Sequence, residues 1–371
     1  LMGADDQVWS YAGTLRPRGY EPASPTTMWL PGNYVYDPHI VTLLPGTPPG
    51  AYRVVVALFD KVTLQPASVL GADGNPIGPT FTLGTVRVAR PQTVPDRVTL
   101  DVPADAVLWR CGALGLLAME ADRARAAPGE LVAVRWVWEA TLPGGLLASK
   151  EPLTATLTLR DASGMARRMW VFPPSTSWWP TDRWAGGERW VGRHIVHLPA
   201  NLESGVYQFE ASLVACADFP LGTVSLDVTA PERVWTLPVD VTPASVVFGG
   251  QIRLAGYALE PASLSAGASL RVRLVWQAVA EMAESYRVFV HLTGPEHRVF
   301  AQSDGEPAAW MRPTTGWAVG EVISETRELA VPADAPAGAY HVRIGLYLLN
   351  GPPMQTEEGE DAFVLGPFTL P

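Results

Sequence analysis

The chain is poor in the residues that catalytic and metal sites most often use. It has two cysteines and six scattered histidines in 371 residues. The one close histidine pair, His194 and His197, has an i,i+3 spacing that sends the rings to opposite faces of a strand, so joint metal binding is not expected. Nucleophile elbow, Walker loop, dinucleotide-binding glycine pattern and zinc-protease helix are all absent. Charged residues are only 17%, the net charge is −10, and no basic run exists. That excludes the usual electrostatic footprint for nucleic acid or an anionic membrane. No apolar stretch approaches the roughly 18 residues that span a bilayer as a helix, so membrane insertion by this segment is not expected. No signal peptide is visible at the N-terminus. The expectation is a protein that is not an enzyme and has no cofactor. The densest acidic run, Glu357–Asp361 with Gly359 inside it, reads as a solvated loop rather than a calcium cage.

Glycine and proline are abundant, at 34 and 35 residues, yet 47% of the chain is hydrophobic. Disordered chains lack that apolar content. Short apolar runs separated by turn residues indicate an all-β fold. A clear example is Leu270-Arg271-Val272-Arg273-Leu274-Val275-Trp276, whose period of two marks a strand with one buried face.

The chain also repeats itself. Leu1-Met2-Gly3 with Gln7-Val8-Trp9 matches Leu292-Thr293-Gly294 with Arg298-Val299-Phe300. Pro25-Thr26-Thr27-Met28-Trp29 matches Pro313-Thr314-Thr315-Gly316-Trp317. Trp29 and Trp317 each stand 23 residues before a tyrosine, Tyr52 and Tyr340. Gly129 to Trp138 spans the same interval as Gly267 to Trp276. The repeat predicts three segments: 1–90 as the C-terminal half of a β-sandwich module, with 95–230 and 234–371 as complete modules of about 135 residues each. By the third copy's length, about 55 residues of the first module lie outside the chain. Half a sandwich needs cover from another subunit or from a missing N-terminal region. Met119–Ala127 has the composition of a turn of helix, but the third copy has a Pro-Ala-Ser loop there. The linkers Ala89–Pro95 and Thr229–Val234 contain proline and read as semi-rigid connectors.

Seven or eight short strands per module suit an immunoglobulin-like sandwich. Tyr52, Tyr207 and Tyr340, each just after a glycine turn, are candidate tyrosine corners. Cys111 and Cys216 both lie in the middle copy; they are either a disulfide or two separate buried thiols. Matching Pro174-Ser175-Thr176-Ser177-Trp178 to the Pro-Thr-Thr-x-Trp element leaves 29 residues from Trp178 to Tyr207, six more than elsewhere. The excess reads as an inserted loop, with Trp179, Asp182, Arg183, Trp184, Arg189 and Trp190 as interface or ligand residues. Exposed rings beside polar groups stack on sugars; the same residue types also fill protein interfaces.

Leu274–Ala278, Tyr286–Leu292, Ala301–Gly305, Pro313–Trp317 and Pro336–Tyr340 together resemble a Trp-rich β-sandwich module. Such modules lie C-terminal to bacterial mannosyltransferase-like membrane proteins and in bacterial cell-surface proteins. The resemblance is strong in the third copy, fair in the first and weak in the middle. It implies an extracytoplasmic location, at the cell surface or secreted, and supplies no catalytic residue. The reading is a spacer and interaction surface in a cell-envelope or filament assembly. The alternatives are a carbohydrate-binding region using the Trp-rich loop, or an accessory region of a membrane glycosyltransferase.

Overall fold

In the computed structural model, the described residues are 1–10, 28–30, 32–36, 38–59, 67–72, 74, 76–106, 109–141, 151–216, 220–348 and 351–371. Pro25, Thr26 and Thr27 of the first Pro-Thr-Thr-x-Trp element lie outside them. The fold is all-β: among the described residues, helix is limited to short 3₁₀ turns. Met119–Ala127 is not helical. Its first residues end strand β6, which pairs antiparallel with β8 from Leu114 to Ala121, and Arg125–Ala126 is a short strand.

The first strands are β1 (Gly50–Val56), β2 (Val69–Leu70), β3 (Pro76–Gly78) and β4 (Phe81–Val88). β1 pairs antiparallel with β4 in a two-stranded sheet, and β2 pairs with β3. The middle segment holds β5 (Trp109–Cys111), β6 (Leu114–Ala121), β7 (Arg125–Ala126), β8 (Leu131–Ala140), β9 (Ala155–Arg160), β10 (Ala166–Phe172), β11 (Arg189–His197), β12 (Gly205–Leu213) and β13 (Gly222–Val228). Its sheets run β11-β8-β6-β5 and β10-β9-β12-β13-β7. The last segment holds β14 (Thr242–Phe248), β15 (Ile252–Glu260), β16 (Ser269–Ala278), β17 (Arg287–Thr293), β18 (Val299–Gly305), β19 (Val322–Ala330), β20 (Gly338–Tyr347) and β21 (Phe363–Leu370). Its sheets run β14-β15-β16-β19 and β18-β17-β20-β21. The order of the middle segment is thus reproduced strand for strand, apart from the short β7. The bulge between Leu116 and Ala118 recurs between Leu254 and Gly256.

By compactness the chain forms two units. One comprises Leu1–Ala124, Val132–Val196 and Val206–Leu226; the other comprises Arg125–Leu131, His197–Gly205 and Asp227–Pro371. In the second unit both four-stranded sheets feed one core. β16 turns Leu270, Val272, Leu274 and Trp276 inward, as its alternation predicts, against Val288, Val290 and Leu292 of β17 and Val342, Ile344 and Leu346 of β20. Each such side chain contributes about 1.5–3 kcal/mol when taken fully from water. Trp276 donates its Nε1–H to Glu325 (2.8 Å), and Glu325 pairs with the equally buried Arg327 (2.8 Å). In the first unit, β6, β8 and β11 bury Leu114, Leu116, Trp136, Trp138, Trp190 and Val191.

Candidate functional site

The Trp-rich stretch after Pro174 begins with a turn and the 3₁₀ segment Thr181–Arg183, then enters β11. Thr181 Oγ1 accepts from the Leu153 amide (2.8 Å), and Thr314 Oγ1 accepts likewise from Tyr286 (2.9 Å). Trp184 Nε1 donates to the Trp179 carbonyl, five residues back, as Trp317 Nε1 donates to that of Arg312. Ala185 N donates to Glu188, as Ala318 N does to Glu321. These bonds equate Trp184, not Trp178, with Trp317. Trp184 then precedes Tyr207 by 23 residues, the interval of the other copies. No insertion separates the middle copy's corner tryptophan from its tyrosine.

The six candidate residues therefore have structural surroundings of their own. Trp184 and Trp190 are buried in the first unit with their ring centres 6.5 Å apart, so neither offers a face to a sugar. Trp179 is partly buried, edge-on to Trp190 at 5.5 Å. Arg189 donates from Nε to Glu139 (2.7 Å) and from Nη1 to the Pro95 carbonyl (3.1 Å). Arg183 is exposed and donates to the Trp178 carbonyl (3.0 Å). Asp182 is partly buried, and its Oδ1 has no hydrogen-bond partner among the described residues.

Arg90, which sequence reasoning passed over, organises this stretch. It leaves the Ala89–Pro95 linker, sets its guanidinium 5.5 Å from the Trp179 ring centre, and pairs with Glu188 Oε1 (2.6 Å). Glu188 Oε2 accepts from Ala185 N (2.8 Å) and Trp190 Nε1 (3.2 Å). The second linker repeats the device inside the second unit. Arg233 donates to Glu321 Oε2 and to the Ala200 carbonyl, both at 2.5 Å, and to the Gly316 carbonyl (3.3 Å). Glu321 is wholly buried and also receives Arg312 Nη2 (2.5 Å) and Ala318 N (2.9 Å). Arg312 stands where the middle copy has Trp179. Beside this cluster Gly129, at φ +78°, lies directly against the backbone of Thr315 and Gly316, where a Cβ has no room.

Trp178 has a separate task. Its ring packs on Gly3 and Gly50, leaving neither space for a side chain. It meets Tyr52 edge-on at 5.9 Å and Trp9 at 6.4 Å. Tyr52 donates its hydroxyl to the Pro48 carbonyl (2.7 Å), and Tyr340 donates to that of Pro336 (2.8 Å). Tyr207 is buried at the corresponding position. Cys111 and Cys216 form a disulfide with their Cα atoms 6.3 Å apart.

The two histidines part company. His194 is buried, stacked on Phe172 at 4.3 Å and edge-on to Trp136 at 4.8 Å; desolvation pushes its pKa down to about 3. It stands where the last segment has Arg327, but Gly192 replaces the partner Glu325, so the carboxylate that favours the cation there has no counterpart at this position. His197 Nε2 lies 2.7 Å from the Gly129 carbonyl. A groove lined by Trp109, Leu116, Met119, Pro220 and their neighbours carries no titratable side chain.

No family model and no curated protein matches the chain. Among solved structures, it is similar over 32% of its length to an alkylpurine DNA glycosylase, AlkC, from Pseudomonas fluorescens bound to abasic-site DNA. The identity is 11% and the TM-score 0.22, and the chain spans about a third of that protein. A structure described as pT26-6p matches over 73% of this chain and 67% of its own, at 8% identity and TM-score 0.24. Likeness at this level bears on neither fold nor function.

Proposed function

We propose that the chain is a non-catalytic run of immunoglobulin-like β-sandwich modules serving as a spacer and interaction surface in an extracytoplasmic assembly. The observation that carries this reading is the repeated linker contact: Arg90 on Glu188 and Arg233 on Glu321. Burying a carboxylate against a linker guanidinium adds little net stability compared with an apolar pair. What it supplies is one preferred docking of the linker on the module that follows. A protein whose task is to hold surfaces at set positions needs that at every junction. The shared sheet order and the corner bonds of Tyr52 and Tyr340 support the immunoglobulin-like assignment. The Cys111–Cys216 disulfide supports an oxidising, external location. The glycan reading loses two of its three rings, because Trp184 and Trp190 are core residues.

Small-angle X-ray scattering tests the proposal. Arg90→Ala combined with Arg233→Ala should widen the distance distribution and lengthen the maximum dimension with each module still folded. Identical profiles for variant and parent would remove the junctions, and the spacer reading with them.

A further inference from the structure

The groove beside β5 is open at a place that the last segment fills. β14 runs for seven residues, and its Pro243 and Thr242 pair with Gly256 and Tyr257 of β15. β5 runs for three residues and, among the described residues, pairs no farther along β6 than Leu116. Ahead of it the chain turns at Pro103–Ala106, and Ala106 packs in a separate cluster with Leu100, Leu117 and Val137. The shared bulge aligns β6 with β15, so Met119 stands at the place of Tyr257 and Trp109 at that of Val246. Tyr257 carries its ring across to Phe363 of β21, with 5.8 Å between ring centres. Met119 has no ring to carry, and a groove of about 450 Å³ lies between β6 and the start of β13. Leu116 and Leu221 line it and are buried, and Gly222 lies so close to Leu116 that a Cβ has no room. Trp109 lines it with 56% of its surface exposed, whereas Val246 packs on a core. Among the described residues of the lining, the polar side-chain groups are the Trp109 indole N–H and the Thr223 hydroxyl, and none is charged. Cys111, just after Trp109, is bonded to Cys216, just ahead of Pro220, so one crosslink tethers both walls.

We infer that this groove is a binding site for a small neutral aromatic alcohol, a phenol or a naphthol. The ligand's ring takes the space that the Tyr257 ring takes in the last segment, against Met119, Leu221 and Trp109. Its hydroxyl meets the two polar groups of the lining, Thr223 Oγ1 and Trp109 Nε1–H. The volume falls in the range of small-molecule sites, roughly 300–1,000 Å³. A ring placed there gains from the apolar area taken out of water and from contact with the indole. The unbranched thioether of Met119 adapts to it. A charged ligand finds no counter-charge in this lining and loses its water without compensation.

Isothermal titration of the whole chain with 4-methylphenol and with 2-naphthol tests this, with the Met119 methyl resonance followed in parallel. The parent should show one saturable site, and the Met119 signal should shift as it fills. Met119→Tyr, which installs the last segment's residue, should remove the binding heat and keep the main thermal transition at or above the parent's. Trp109→Ala, at an exposed position, should weaken binding severalfold and reads the site even where Met119→Tyr fails to fold. 2-Naphthoate, with the same rings and a carboxylate, should bind severalfold more weakly than 2-naphthol. No saturable binding of either phenol by the parent would overturn the inference. Undiminished binding by a folded Met119→Tyr protein or by Trp109→Ala would overturn it too, as would equal affinity for 2-naphthoate. None of these readouts involves the linker arginines, so the spacer reading stands or falls separately.

Discussion

Arg233 reaches out of a proline-containing linker to Glu321, a carboxylate with no solvent exposure at all. Ninety-eight residues separate the equivalent pair, Arg90 and Glu188. In each case the glutamate lies four residues after a buried tryptophan, Trp317 or Trp184, and it also accepts from residues close to it in the chain: Ala185 and Trp190 for Glu188, Arg312 and Ala318 for Glu321. The linker is therefore part of the packed structure at both places. The first copy has Asn33 at this position.

Trp184 is a corner residue, so its loss should behave as a core defect. Trp184→Ala should cost about 3–5 kcal/mol, read by urea unfolding, and Trp317→Ala should cost a similar amount. A Trp184→Ala protein of parental stability would contradict the register derived from the two indole–carbonyl bonds.

His194 ties stability to pH. Its folded pKa of about 3 lies below the 6.5 of an unperturbed histidine. The unfolded chain thus binds a proton that the folded chain refuses. Stability from this site is fully present above about pH 6.5 and falls by about 1.4 kcal/mol per unit as the pH drops toward 3. His194→Phe should flatten that slope in urea melts between pH 6.5 and 4. A variant with the parental slope would show that other groups set the pH response.

How far the sequence carried the structure depends on range. The strands were legible because alternation is local: Leu270, Val272, Leu274 and Trp276 are buried as their spacing predicts, but Val275 is buried as well, in a second cluster with Ala255 and Val322. The tryptophan register was misread because Pro174…Trp178 and Pro180…Trp184 both fit the motif; the 23-residue interval to Tyr207 was the available signal that separates them. The Arg–Glu contacts were not legible, since nothing in a proline-containing linker announces a carboxylate 88 or 98 residues away. The cysteine pair was undecided for the same reason, with 105 residues between them.

The disulfide should matter for folding. Cys111→Ala with Cys216→Ala should lower stability by about 2–5 kcal/mol, and thiol titration of the unreduced, unfolded parent should find no free cysteine. Two free thiols would contradict the bond.

The corner hydroxyls make a smaller contribution. Tyr340→Phe should cost about 1 kcal/mol by removing the bond to the Pro336 carbonyl, and Tyr52→Phe should act alike through Pro48. A cost within error of zero at both positions would make these tyrosines simple packing residues.

The most direct measurement is a double-mutant cycle between Arg233 and Glu321, using Arg233→Met and Glu321→Gln in urea unfolding. The account predicts a coupling of about 1–3 kcal/mol, because the linker cation and the buried carboxylate act as one unit. A coupling within about 0.3 kcal/mol of zero would mean that the linker is not docked by this pair, and the central claim would fail.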